Sequence, residues 1–164
     1  MSKMVAAHDN ISPRPDKHFV DANEPGKVMF IHQPPGLPSA CFGGLMATRA
    51  KYSRAAGVVI DGRFRDVAEI QHMGLPLFAR ECSILGSNTF TRASEINVPL
   101  QFRGDLWVNP GDIIVGDQDG VVVVPPVLVD QVAQICAERK EADDKVMEAL
   151  EHGETMEEAI KLRN

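Results

Sequence analysis

The sequence holds three cysteines, Cys41, Cys82 and Cys136, too far apart to form any CxxC pair. That spacing excludes a disulfide framework and a cysteine-rich zinc knuckle, and it suits reduced, mostly buried thiols in a cytoplasmic protein. The five histidines are as scattered, with no HxH or HExxH to bring two imidazoles onto one metal. Positive charge is in deficit: 17 Lys and Arg against 23 Asp and Glu give a net charge of −6, and no basic patch interrupts it. A nucleic-acid groove or an anionic membrane surface needs such a patch, so neither is expected as a partner. No apolar run approaches the roughly 20 residues of a bilayer span. The opening MSKMVAAHDNISPRPDKH lacks the apolar stretch of a secretory signal, and no GxxxxGK[ST] or GxGxxG phosphate loop occurs.

What is there is enough for one folded domain, since 164 residues with 44% hydrophobic content can bury a core without cross-links. Residues 1–26 are polar and broken by Pro13, Pro15 and Pro25, which reads as an N-terminal arm, with a single domain over 27–164. KVMFIH reads as a strand, and Gly43-Gly44 opens a helix in LMATRAKYSRAA. A second strand covers Val58 to Asp61. Asp66 and Glu69 have capping-box spacing, with Val67, Ile70 and Met73 as the stripe of a short helix closed by Gly74. LPLFA, EINVPLQF, DLWV, DIIVGD and GVVVVP read as further short strands, the later ones forming a meander or small barrel. Pro125-Pro126 introduces a long amphipathic helix, and Thr155 with Glu158 caps a last short one. The pattern is α/β, with a mixed sheet and a C-terminal helix.

The stretch GVVIDGRFRDVAEI carries the chemistry, because it delivers Arg65 and Asp66 from a strand end to a helix start. Open α/β sheets gather ligands at that edge. The backbone N–H groups of Gly44, Leu45 and Met46, orphaned at a helix N-terminus, suit a carboxylate or phosphate. Arg65 offers a fixed fork for a keto or carboxylate oxygen, and Asp66 a hard oxygen for a divalent cation. The plainer readings are a tight Gly-Gly turn, a helix cap at Asp66 and an ion pair at Arg65. Asp61, Asp117 and Asp119 each precede or flank a glycine and read as turn residues.

In this order, CFGGLMATRA, GVVIDGRFRDV, INVPL, VNPGDIIVGDQDGVVVVP and ERKEADDK resemble the family shared by 4-hydroxy-4-methyl-2-oxoglutarate aldolases and regulator of ribonuclease activity A, the RraA-like family. The resemblance runs from about Lys17 to the C-terminus. It implies a swivelling β/β/α-type sandwich, assembled as a homotrimer or hexamer with sites between subunits, and a divalent metal, Mg2+ or Mn2+. It implies that Asp66 ligates the metal and that Arg65 meets the substrate keto oxygen. The backbone of Gly44, Leu45 and Met46 would hold the substrate carboxylate, and Glu141, or else Glu138, of a neighbouring copy would face the metal waters. Two departures stand out: the aldolase pattern would put an acid at position 44, where this chain has Gly44, and family members usually carry a further N-terminal helical segment.

The resemblance therefore implies a metal-dependent lyase that cleaves short keto diacids, 4-hydroxy-4-methyl-2-oxoglutarate or oxaloacetate, to pyruvate. Without an acid at position 44 decarboxylation is favoured somewhat, since it needs no base. A Schiff-base route is disfavoured, because the lysines other than Lys27 sit in polar or helix-surface contexts. The alternatives are a non-catalytic oligomeric binding protein like the ribonuclease regulator, which resembles the family but lacks the aspartate of the Arg-Asp pair, and a trimeric remnant without turnover.

Overall fold

Strands buried on both faces read as near-continuous apolar runs. Two such runs, β2 (Val28–His32) and β3 (Gly57–Phe64), form the interior of a five-stranded sheet in the computed structural model, which describes residues 1–163. With β1 (Ser2–Ala6), β4 (Leu77–Cys82) and β5 (Thr91–Ile96), the order is β4-β3-β2-β1-β5. The first four strands run parallel and β5 returns antiparallel to β1, so the sheet is mixed as predicted. Right-handed crossovers need helices on a face. These are α1 (Gly44–Tyr52) after β2 and α2 (Val67–Met73) after β3, whose Ala47, Ala50 and Ile70 pack on Met4, Ile31, Val58 and Ile60.

The opposite face is covered by short strands. Phe30 meets Leu100 of β6 (Leu100–Arg103) and Val108 of β7 (Leu106–Val108), flanked by Ile114 and Val123 of the pair β8 (Ile113–Gly116) and β9 (Val121–Val124). These are two separate two-stranded pieces rather than one meander. The turn role of Asp117 holds: its carboxylate accepts from the N–H groups of Asp119 and Gly120 at 2.9 and 3.2 Å.

The predicted arm is corrected, because Met4 is buried in the main core and β1 pairs with strands on both sides. The strand is only five residues long, with a register shift between Lys3 and Met4, and a proline-rich loop follows it. That loop is ordered by Arg92, whose guanidinium donates to the carbonyls of Asp9, Ser12 and Pro13 at 2.6, 2.9 and 2.7 Å. The span read as one domain divides between two compact units of the chain, Met1–Val123 and Val124–Asn164. The second unit holds α3 (Val129–Glu151) and α4 (Met156–Ile160), the latter opened by the expected reciprocal cap of Thr155 and Glu158. No helix among the described residues is long and apolar enough to cross a membrane.

Cys41 is buried, and burial pushes its thiol up to about 12. Cys82 and Cys136 are exposed, contrary to the expectation of mostly buried thiols. Asp61 is not a turn residue. It lies inside β3 with 5% of its side chain exposed, one oxygen 2.7 Å from His32 Nδ1 and the other bonded to Arg80 Nε. Burial alone would raise its carboxyl, but the hydrogen bonds and charges of His32 and Arg80 outweigh that and hold it below the usual carboxylate range. A depressed carboxylate stabilises the fold fully above the unfolded value near pH 4 and loses that contribution as pH falls through its folded value. Asp61→Asn is therefore expected to lose about 2 kcal/mol at pH 7 in urea unfolding. The gap from the parent should narrow below about pH 4, and a pH-independent gap would contradict this assignment.

Candidate functional site

After β2 the chain makes an excursion and returns beside β3, where Cys41 N–H donates to Arg63 O at 2.9 Å and Arg65 N–H to Phe42 O at 3.1 Å. This places the start of α1 against the end of β3. The first intrahelical bond of α1 runs from Ala47 N–H to Gly43 O, 2.9 Å, so the preceding N–H groups point out of the helix end. Gly43 caps with extended backbone and no side chain. Asp66 supplies the missing cap from the next crossover: its Oδ2 accepts from Gly44 N–H at 2.8 Å.

Two sequence expectations change here. Asp66 and Glu69 do not form a capping box on α2, since Asp66 makes no side-chain hydrogen bond to its own helix. Asp66 instead takes left-handed backbone, φ 64° and ψ 42°, a conformation that aspartate tolerates better than most residues at a cost of about 1–2 kcal/mol. That turn swings its carboxylate onto α1. Gly44 is the second change: its N–H is already engaged by Asp66, and the donors that face outward for a ligand are those of Leu45 and Met46.

Glu69 is the residue that sequence reasoning missed. Its carboxylate lies over Gly44, where an added Cβ would come within 2.6 Å of Glu69 Cδ. A carboxylate thus reaches position 44 from one turn into α2, and Gly44 leaves the room for it. The signal was the pairing of a bare glycine at 44 with a surplus acid at 69, hidden because the Asp66-Glu69 spacing matched a cap. Arg65 Nε stands 3.7 Å from Asp66 Oδ2, too far for a hydrogen bond, with 44% of its side chain exposed. The plain ion-pair reading is therefore weak, and the guanidinium is available to a ligand. A pocket of about 350 Å³ opens here, lined by Arg65, Asp66, Val67, Cys82, Ser83 and Ile84.

Among the described residues no three His, Cys, Asp or Glu side chains gather into a ready-made metal cage. Magnesium does not need one: it keeps several waters and is held by one or two carboxylates plus substrate oxygens. Asp66 and Glu69, both at the Gly44 amide edge and both hard oxygen donors, fit such an ion. Glu141 is exposed on α3 and paired with Lys145 at 2.8 Å, and Glu138 accepts from Gln134 at 2.9 Å.

The family model described as RraA-like, Aldolase/RraA, matches residues 6–123, the span that contains every element of this site. The chain belongs to the RraA-like family. It is 36% identical over 144 residues to a Halalkalibacterium halodurans protein named provisionally as a 4-hydroxy-4-methyl-2-oxoglutarate aldolase, covering 88% of this chain and 66% of that one. It is 32% identical over 100 residues to the Thermus thermophilus 4-hydroxy-4-methyl-2-oxoglutarate aldolase, covering 61% of this chain and 60% of that one. The chain thus spans under two thirds of the length of these relatives. Among solved structures, an uncharacterized Pseudomonas syringae protein is similar over 96% of this chain and 74% of its own, with 25% identity and a TM-score of 0.81. Streptomyces coelicolor RraAS2, an unusual member of the RNase ES inhibitor RraA protein family, covers 87% of this chain and 72% of its own at 21% identity and a TM-score of 0.74, which shows the shared fold.

If Asp66 caps α1, an RraA-like chain with Asp66→Ala should lose about 1–2 kcal/mol, through the lost cap and the left-handed alanine. Asp66→Asn should lose less than half as much, because the amide oxygen still accepts and asparagine tolerates that backbone. Chemical denaturation of both variants checks the ranking, and equal losses would contradict it.

Proposed function

We propose that the protein is a divalent-metal-dependent carbon–carbon lyase acting on short keto diacids that yield pyruvate. Its substrates would be 4-hydroxy-4-methyl-2-oxoglutarate, oxaloacetate or both. The observation that carries this reading is the meeting of Asp66, Arg65 and Glu69 with the open end of α1 at one sheet edge. Magnesium or manganese held by Asp66 would supply Lewis-acid polarisation of the keto oxygen.

The chain's own groups divide the remaining work. Leu45 and Met46 N–H groups hold the substrate carboxylate, aided by the helix macrodipole. Gly44 N–H fixes the Asp66 carboxylate. Arg65, half-exposed beside Asp66, would meet the negative charge that grows on the keto oxygen as the bond breaks, which is where a fixed cation lowers the barrier most. Decarboxylation of oxaloacetate needs no base. Aldol cleavage needs one to take the proton of the C4 hydroxyl, and the Glu69 carboxylate, which lies beside Gly44, would receive it through water. Glu69 thereby removes the objection that Gly44 raised against aldol cleavage. The assembly belonging to this reading is a homotrimer or hexamer in which Glu141 of a neighbouring copy would face the cation held by Asp66.

The second reading is a non-catalytic RraA-like regulator that presents its acidic surface, net charge −6, to a basic partner. Arg65 and Asp66 weigh against it, since a docking surface has no need of a left-handed aspartate on a helix end. The deciding assay follows pyruvate release from both keto diacids, with and without Mg2+, for the parent and Asp66→Asn. The expected result is metal-dependent turnover that falls at least about 100-fold in Asp66→Asn. Turnover without metal, or undiminished in the variant, would overturn the proposal.

A further inference from the structure

We infer that Gln33, which lines no ligand pocket of the site, is the positioning residue that sets the α1 amide donors against Arg65 and Asp66. This deepens the proposed lyase reading and rests on it. The seam between the returning loop and β3 has a gap. Gln33 N–H still follows the sheet ladder, donating to Asp61 O at 3.0 Å, but the chain then departs through Pro34-Pro35-Gly36-Leu37-Pro38, where only the Arg63 side chain reaches it at Leu37 O, and its backbone rejoins β3 at Cys41, bonded to Arg63 O at 2.9 Å. Arg63 N–H, between these two points, would be left without a neighbouring strand.

The Gln33 side chain fills the gap. Its Oε1 accepts from Arg63 N–H at 3.0 Å, and its Nε2 donates to Ser39 O at 2.8 Å. A primary amide has the donor and acceptor of a peptide unit, so Gln33 stands in for the missing backbone rung and joins both sides of the excursion. The residue is 5% exposed, so neither bond has water as a substitute. Gly62 is shaped to it: a Cβ there would lie 2.6 Å from both Gln33 Cβ and Oε1.

Downstream of this rung the seam continues without a gap, through Arg65 N–H to Phe42 O and Gly44 N–H to Asp66. A slip of the loop along β3 would therefore carry Leu45 and Met46 away from Arg65 and Asp66. Glutamine is the side chain the position demands. Glutamate keeps the acceptor for Arg63 but turns a carboxylate on Ser39 O, and methionine keeps the length with neither bond.

The test compares Gln33→Met and Gln33→Glu with the parent in three readouts. Amide exchange at Arg63 and Cys41 should accelerate in both variants, with shifted amide resonances at Leu45 and Met46. The KM for oxaloacetate should rise about tenfold while the dissociation constant for Mn2+ rises several-fold less, because the Asp66 and Glu69 side chains are kept and only the Gly44 bond to Asp66 is loosened. Compared with the parent at the same pH, acidification, which neutralises a buried carboxyl readily, should restore protection at Arg63 in Gln33→Glu and leave the loss of protection in Gln33→Met as it was. Unmoved Leu45 and Met46 resonances, or a Mn2+ affinity that falls as far as the KM rises, would overturn the inference. A parent that binds Mn2+ without turning over either keto diacid would sink the lyase reading instead, while the resonances still decide the role of Gln33.

Discussion

A single charge-assisted hydrogen bond, from the Gly44 amide to the Asp66 carboxylate, joins the first two helical crossovers of the sheet at their entry points. Each crossover alone would start with orphaned donors. The bond satisfies one of those on α1, and it turns Asp66 out of the cap of α2 and into left-handed backbone to do so. A carboxylate held this way keeps one oxygen on a backbone donor and leaves the other lone pairs toward the pocket. The strained turn at Asp66 and the glycine at 43, where a Cβ would lie 2.8 Å from Asp66 Oδ2, both follow from that one contact.

Around it the chain arranges charge with little waste. The molecule is acidic overall, yet at this edge two carboxylates are set over a helix N-terminus and beside a guanidinium, where their repulsion is offset. The same logic recurs inside the sheet, where Asp61 is buried only because His32 and Arg80 bracket it. Asp61 orders strands, whereas Asp66 and Glu69 remain open to a cation. Burial separates the two uses of the same side-chain chemistry.

Much of this was legible in the sequence. Apolar runs marked β2 and β3, the Gly-Gly step marked the start of α1, and the strand-to-helix placement of Arg65 and Asp66 pointed to the candidate site. Thr155 and Glu158 behaved as their spacing foretold. The failures share a physical cause, which is that local patterns were overridden by contacts distant in sequence. β1 is short and polar at its start, and only pairing with β2 and β5 makes it core. The Asp66-Glu69 spacing matched a cap, but Gly44, 22 positions from Asp66, drew both carboxylates away. Asp61 beside a glycine looked like a turn because its two partners, His32 and Arg80, come from neighbouring strands. Gln33 carried no sequence signal at all, since its role exists only after the loop has returned to β3.

The central claim is that the Asp66 carboxylate links the α1 amide edge to a divalent cation. It is tested most directly by following the amide resonances of Gly44, Leu45 and Met46 during titration with Mg2+ and then with oxalate, a dianion shaped like the pyruvate enolate. Gly44 should shift as Mg2+ is added, and Leu45 and Met46 should shift only once oxalate follows. If Gly44 ignores Mg2+, or if oxalate moves Leu45 and Met46 equally well without the metal, the account is contradicted.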